Sequence, residues 1–403
     1  MIPEDSLREI IKSQSKSLNS YELGIPRREA NIDSRLPHAL IISGIRRAGK
    51  STLLHQLSKR FANFHYLNFE DPRLSDFGLN DFEKLDELFT KEYGDYEYYL
   101  LDEIQKVEKW ELFVRSRLDR KKKFIITGSN ASLLSKELGT SLTGRHVDLE
   151  LFPFSFKEYL LFKNKKAELP TFKGYLMDGG FPEYAKYGNS EVLQRLFIDI
   201  IQRDIVARYK LREPKVLEQM AVYLLTNIGR EFSYNNLKEV FNLGSVSTVT
   251  AYISYFEDSY LLFSVPKFSF SLKKQLVNPR KIYAIDNGLA RVNSVSFSSD
   301  SGRMLENMVF LGLRRKFNQI FYFSGKNECD FLVRDKNKII MAIQTCYNLN
   351  SDNKEREFNG LVEALKEVDL SEGLILTYDQ EDTFKIEKKR IIVKPVWKWL
   401  TEQ

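Results

Sequence analysis

The sequence predicts an α/β chain that opens on a parallel sheet carrying a phosphate loop and closes on a second α/β unit. Three observations carry this. Apolar runs such as Ala39-Leu40-Ile41-Ile42 and Tyr98-Tyr99-Leu100-Leu101 alternate with helical patterns, as in a parallel sheet buried on both faces. Residues 44–52 read GIRRAGKST, so Gly44, Gly49, Lys50 and Ser51 keep the spacing G-x-x-x-x-G-K-[ST]. Beyond residue 300 an amphipathic helix pattern precedes three further strand-like runs.

Composition bounds the rest. The 403 residues are 43% hydrophobic and 29% charged, a globular composition with room for two or three domains. Two cysteines, Cys329 and Cys346, make no disulfide framework and fit a reducing compartment. Neither they nor the four histidines show metal-ligand spacing. No apolar run reaches the roughly 18 residues of a membrane span, and MIPEDSLREIIKSQSK lacks the apolar core of a secretory signal. A cytoplasmic protein with no membrane partner is expected. The net charge of +6 permits an acidic partner such as DNA without requiring one.

The first strand leads into the glycine turn, and Leu53, Leu54 and Leu57 mark the helix after it. Strand, turn and helix N-terminus aim backbone N–H groups at phosphates. Gly44, Ala48, Gly49, Lys50, Ser51 and Thr52 are therefore the expected ATP contacts. Lys50 reaches the β- and γ-phosphates and the Ser51 hydroxyl ligates Mg²⁺. The strand Tyr98 to Leu101 ends in Asp102-Glu103. Asp102 is expected to hold Mg²⁺ and Glu103 to polarise the attacking water. The strand Phe124 to Ile126 ends in Thr127-Gly128-Ser129-Asn130. Asn130 or Ser129 is placed there as a γ-phosphate sensor, with a helix cap as the competing role.

The set GIRRAGKSTL, NFEDPRL (68–74), LLDEIQ, ITGSNASLLS and LTGR followed by LFPFSFKEYL resembles the AAA-type ATPases that carry a C-terminal domain of unknown function with a nuclease-like core. The resemblance runs from about residue 36 to the C-terminus. It implies that Arg145 is a phosphate-sensing or finger arginine, in cis or in trans. It also implies a helical lid closing the ATPase module, with Arg195, Arg203 and Arg208 as second-sensor candidates or as a solvated basic face. Glu70 and Asp71 either approach the nucleotide or cap the next helix.

Residues 214 to 290 read as a winged helix. Three helical patterns, the second with Ser233 as N-cap, precede strand-like segments Pro266 to Leu272 and Lys281 to Ile285. Between them lies a basic tip of Lys273, Lys274, Arg280 and Lys281, suited to phosphates. The third helix bears Glu257 and Asp258 rather than Arg or Lys, so DNA contact and a packing role are both open.

The last stretch resembles a PD-(D/E)xK nuclease core. Glu306 lies on a helix (302–317), and Asp330 in a hairpin of 320–325 and 329–335. The third acid falls on Gln344 and the lysine on Cys346, in a strand over 338–349. An amide is a poor Mg²⁺ ligand and a thiol offers no fixed cation. A degenerate site without nuclease activity is expected, with Lys326 and Lys338 weighed as a relocated lysine.

The fold class is thus α/β: an N-terminal helical segment (1–35), a P-loop AAA-type parallel sheet with helical lid (36–212), a winged helix (213–292) and a restriction-endonuclease-like α/β domain (293–403). The function expected is ATP hydrolysis with Mg²⁺, coupled to a DNA or protein partner. An ATP-gated DNA-processing nuclease and a slow nucleotide-dependent signalling switch are the alternatives. Oligomeric state is left open.

Overall fold

Five short strands pair in parallel at the heart of the first half of the chain: β1 (Ala39–Ser43), β2 (His65–Asn68), β3 (Tyr98–Asp102), β4 (Lys123–Gly128) and β5 (His146–Glu150), in the order β2-β3-β4-β1-β5. The computed structural model describes residues 1–28, 38–129, 144–296 and 300–403. These form two units, Met1–Leu151 and Phe152–Gln403.

In the first unit the strand period of two sorts side chains between two layers. Tyr99, Leu101, Phe124 and Ile126 face helices α3 (Asp81–Tyr93) and α4 (Trp110–Leu118) through Phe82, Leu85, Trp110 and Phe113. The N-terminal helix α1 (Glu4–Asn19) adds Leu7, Ile10 and Ile11 to that layer. Gln14 pins it to β2, accepting from the Asn68 N–H at 2.7 Å and donating to the Asn68 carbonyl at 3.1 Å. Leu40, Ile42, Leu100 and Ile125 face the other way, onto Leu53, Leu54 and Leu57 of α2 (Lys50–Ser58). Because β4 runs between β1 and β3, the C-terminal ends of all three share one edge of the sheet. Open parallel sheets bind ligands at that edge.

The second unit begins with helices Phe156–Lys163, Leu169–Asp178, Pro182–Tyr187 and Ser190–Asp199, the last running on through a π-helical stretch, Ile200–Val206. The segment expected to be a lid thus belongs to this unit. Helices Pro214–Thr226, Tyr234–Val240 and Val246–Asp258 follow, with Ser233 and Ser245 as N-caps. Strands β6 (Glu231–Phe232), β7 (Leu262–Pro266) and β8 (Arg280–Ala284) form an antiparallel sheet in the order β6-β8-β7. The tip differs from expectation. The strand stops at Pro266, and Leu272–Val277 is a short helix capped by Ser271. Proline cannot donate to a ladder, and Leu, Lys and Gln after a serine cap favour helix.

The remaining strands are β9 (Gln319–Ser324), β10 (Glu328–Asp335), β11 (Lys338–Cys346), β12 (Glu372–Thr377), β13 (Asp382–Ile386) and β14 (Lys389–Pro395), in the order β13-β14-β12-β11-β10-β9. Phe358, Leu361 and Leu365 of helix Lys354–Glu367 pack on Phe321, Leu332 and Ile375. Helix Ser301–Arg314 is tied to β8 by Asn307, which accepts from the Ala284 N–H at 2.8 Å and donates to its carbonyl at 3.1 Å. No helix among the described residues is long and apolar enough to cross a membrane.

Candidate nucleotide site

The turn after β1 is shaped by two glycines. A Cβ on Gly44 (φ 150°) would sit 2.1 Å from the Leu151 carbonyl oxygen, and Gly49 (φ 102°) occupies the left-handed region that side chains disfavour. Lys50, the first residue of α2, is buried. Its Nζ donates to the carbonyls of Gly44 (3.0 Å) and Ile45 (3.2 Å) and lies 3.6 Å from a Glu103 carboxylate oxygen.

Asp102 and Glu103 lie across β4 from this loop. Asp102 accepts from the Thr127 hydroxyl, and that same hydroxyl accepts from the Glu103 N–H at 2.9 Å. The Ser51 hydroxyl hydrogen-bonds the Asp102 carboxylate. Asp102 Oδ2 is buried without a geometrically sound hydrogen-bond partner in the structure. A hard cation fits this pair: an ionisable oxygen and a hydroxyl at the sheet edge, beside a loop able to take up phosphates. Burial, then the charge of Glu103, push the Asp102 carboxyl up to about 6. Glu103 is pushed up by burial but pulled further down by Lys50, Gln105 and Arg46, leaving it below its ordinary value. The two neighbours are therefore driven apart, Asp102 upward and Glu103 downward, so Asp102 is the carboxyl that a bound cation would have to hold ionised.

Two predictions arise here. Asp102 must be ionised to hold a cation, so Mg²⁺-dependent nucleotide affinity should fall as pH drops through about 6. Titration calorimetry with Mg²⁺ and ADP between pH 5 and 8 checks this, and Asp102→Asn should leave only the dependence that the terminal phosphate of ADP, itself titrating at about 6, supplies. Thr127→Val deletes both contacts of the hydroxyl and leaves the Glu103 N–H unpaired. A loss of about 1–3 kcal/mol in urea unfolding is expected.

The structure brings Gly44, Ala48, Gly49, Lys50, Ser51 and Thr52 together in one loop and helix start, with Asp102 and Glu103 facing it. Asn130 lies outside the described residues. Ser129 is buried and accepts from Gln105 Nε2 at 3.3 Å; the same amide donates to Glu103. Arg145 stands away from its own chain's loop. Its carbonyl accepts from Ala39 at the start of β1, the end of the strand remote from the loop, and its half-exposed guanidinium pairs with Asp119. It makes no contact with its own chain's phosphate loop. Glu70 reaches Arg46 of the loop at 3.2 Å. Asp71 caps the next turn, and the Arg73 side-chain hydrogen bond holds its carboxyl at about 2.

Sequence reasoning missed Thr127, Gln105 and Arg27. Arg27 is buried, and its guanidinium donates to the Ala48 carbonyl at 3.1 Å. Gln56 of α2 holds that segment, accepting from the Arg27 N–H and donating to the carbonyls of Leu23 and Ile25. Thr127 was visible in the polar run after β4; nothing in the coil around Arg27 signals its position.

Residues 37–160 match the family model described as AAA domain. Residues 169–299 and 301–399 match two domains of unknown function, DUF8612 and DUF4143. The uncharacterized protein MJ1544 of Methanocaldococcus jannaschii is 38% identical over 391 residues, 89% of this chain and 87% of that protein. The chain belongs to the family of this archaeal protein. A second family relative, from Haemophilus influenzae, is 29% identical over 345 residues, covering 79% of this chain and 84% of its own length. Among solved structures, the replication initiator DnaA bound to AMPPCP and single-stranded DNA aligns at 17% identity and TM-score 0.31, over 60% of this chain and 91% of its own. Cdc6p from Pyrobaculum aerophilum aligns at 11% identity and TM-score 0.25, over 74% of this chain and 95% of its own. These two likenesses are too distant to bear on function. The AAA domain and the parallel five-stranded sheet make the first unit a P-loop ATPase fold.

In the DUF4143 segment, Glu306 and Asp330 do come together, around a lysine. That lysine is Lys281 of β8, placed by the sequence in a basic tip suited either to phosphates or to packing. Its side chain is only 3% exposed, so it tracks no phosphate, and Arg280 is half-buried with a guanidinium nitrogen on Ser264. Cys346 supplies no cation, as expected, but a cation is present nonetheless. Gln344 accepts from the Asp330 N–H at 3.2 Å and donates to Glu357 at 2.6 Å. Cys346 packs in the apolar cluster with Phe358 and Leu361, and burial pushes its thiol up to about 11. Arg195 and Arg203 are exposed and pair with Glu191 and Asp199 one turn earlier.

Proposed function

We propose that the first unit binds ATP with Mg²⁺ and hydrolyses it, and that the second unit holds the partner to which nucleotide state is coupled. The observation that supports this is the meeting of Lys50, Ser51, Asp102 and Glu103 at one edge of the parallel sheet. The Lys50 ammonium exchanges the carbonyls of Gly44 and Ile45 for phosphate oxygens. Ser51 and Asp102 would hold Mg²⁺, which would supply neutralising charge at the β- and γ-phosphates. Glu103 orients the attacking water and takes its proton, while Thr127 holds its backbone N–H and Gln105 its carboxylate.

The tip Phe270–Val277 supports a protein partner over DNA. Phe270, Leu272, Leu276 and Val277 are each at least 60% exposed there, beside exposed Lys273 and Lys274. Bare phosphate contact uses cations and leaves such apolar area unsatisfied. The stretch from Lys267 to Lys281 has no acidic residue, so an apolar surface with an acidic rim is its complement. Steady-state phosphate release, with and without double-stranded DNA at several salt concentrations, tests the reading. Mg²⁺-dependent turnover that DNA does not stimulate is expected. Lys273→Ala with Lys274→Ala should change any nonspecific DNA affinity less than about twofold. A uniform loss across sequences with a flattened salt slope would assign the tip to nucleic acid instead.

A further inference from the structure

Two consecutive arginines stand inside the phosphate loop, and their surroundings differ. Arg47 is exposed. The Arg46 side chain is only 13% exposed, and its guanidinium lies 3.2 Å from a Glu70 carboxylate oxygen. The two partners of this ion pair come from distant strand ends. Arg46 follows the end of β1 by three residues and Glu70 follows the end of β2 by two. Strands β3 and β4 lie between β1 and β2. Three strand spacings amount to roughly 14 Å. The ion pair therefore closes over the ends of β3 and β4, where Asp102, Glu103 and Thr127 lie.

Backbone contacts put Glu70 there. Asn68 pairs in register with Asp102, the Phe69 N–H donates to the Asp102 carbonyl at 2.9 Å, and the Glu70 N–H donates to Asn68 Oδ1 at 2.8 Å. The charge of Arg46 is also felt at Glu103. Burial pushes that carboxyl up, and Lys50, Gln105 and then Arg46 pull it further down. Two cations of one loop thus act on one carboxylate.

A phosphoryl group in transfer spreads its charge over three equatorial oxygens, more than a single lysine can answer. A guanidinium offers five donors in a planar fork that matches phosphate oxygens. We propose that Arg46 is a catalytic arginine supplied by the phosphate loop itself, which leaves Glu70 for the γ-phosphate of bound ATP and stabilises the charge that develops there. The water oxygen bonds to the γ-phosphorus, its proton passes to Glu103, and the bond from phosphorus to the bridging oxygen breaks with its electron pair left on ADP. Arg46 itself forms no covalent bond. Glu70 is its partner before nucleotide arrives, and competes with phosphate for it. The role needs no arginine from a neighbouring chain. The inference rests on ATP hydrolysis by the first unit.

The test is steady-state phosphate release by the full chain in Mg²⁺, with ADP affinity and thermal unfolding measured alongside, for wild type, Lys50→Ala, Arg46→Ala, Arg46→Lys and Glu70→Gln. Arg46→Ala should lower kcat at least about 10²-fold. ADP lacks the γ-phosphate and should bind it within about twofold of wild type. Arg46→Lys keeps a cation for Glu70 but loses the fork, so kcat should still fall about tenfold. Glu70→Gln breaks the same ion pair and releases the arginine, so kcat/KM should rise about two- to fivefold, the scale of an exposed ion pair. A pair that merely clasps the loop to β2 predicts the reverse, equal losses in Arg46→Ala and Glu70→Gln, and that result overturns the proposal. Wild-type kcat in Arg46→Ala also overturns it, and turnover that Lys50→Ala abolishes would then leave the ATPase reading standing. Absence of Mg²⁺-dependent turnover in wild type overturns both. Should Arg46→Ala fail to fold, Arg46→Lys decides: a native-like midpoint with wild-type kcat overturns the proposal, and one with lowered kcat supports it.

Discussion

Glu103→Gln is expected to leave ATP bound and to lower turnover about 10²- to 10³-fold, the range typical of a lost general base. Three contacts hold the Glu103 position: its N–H donates to Thr127, its carboxylate accepts from Gln105, and Lys50 lies 3.6 Å away. Its backbone is in the left-handed region at φ 53°, a conformation costly for a residue with a side chain. Glutamine keeps the shape and the backbone contact. It cannot accept a proton. The loss should therefore appear in phosphate release, with ATP affinity changed less than about threefold, since the ground-state contacts to phosphate are unaltered.

Lys50→Ala acts on binding itself. The buried ammonium lies 3.6 Å from Glu103 and, in the nucleotide complex, would be a point charge on the phosphates. Removing one member of such a charged pair costs on the order of 2–5 kcal/mol, or roughly 30-fold to several thousand-fold in ATP affinity. Lys50→Met, which keeps the volume of the side chain, should show the same loss. Thermal unfolding of both variants separates a charge effect from a folding defect: native-like midpoints with lost affinity place the effect at the phosphates.

The phosphate loop was legible because its chemistry demands residue types in fixed order: glycine where φ is positive or Leu151 approaches, then lysine and serine on a helix start. Asp102 and Glu103 were legible because a buried apolar strand must end before two acids can reach an edge. Arg145 was not. A motif says nothing about which end of a parallel strand its residue occupies, and pairing of Ala39 with His146 puts Arg145 at the end remote from its own chain's loop, which bears on a role in cis and not on one in trans. Lys281 was missed for another reason. Lysines are read as solvated by default, and its anionic partners Glu306 and Asp330 are distant in sequence. A local hint existed in Ile282-Tyr283-Ala284, which leaves β8 apolar on both faces and its flanking lysine close to a buried layer. The tip helix Leu272–Val277 escaped a reading that placed a strand from Pro266 to Leu272, where the strand in fact ends at Pro266.

The measurement that bears most directly on the central claim is a single-turnover experiment on the full chain, with ATP binding and phosphate release followed together in Mg²⁺ and in EDTA. Wild type should bind one ATP per chain and release phosphate in Mg²⁺ only. Glu103→Gln should bind ATP in Mg²⁺ and retain it uncleaved, and Lys50→Ala should do neither. Phosphate release by Glu103→Gln at the wild-type rate, or ATP binding undisturbed by Lys50→Ala, would contradict the assignment of this loop and this carboxylate.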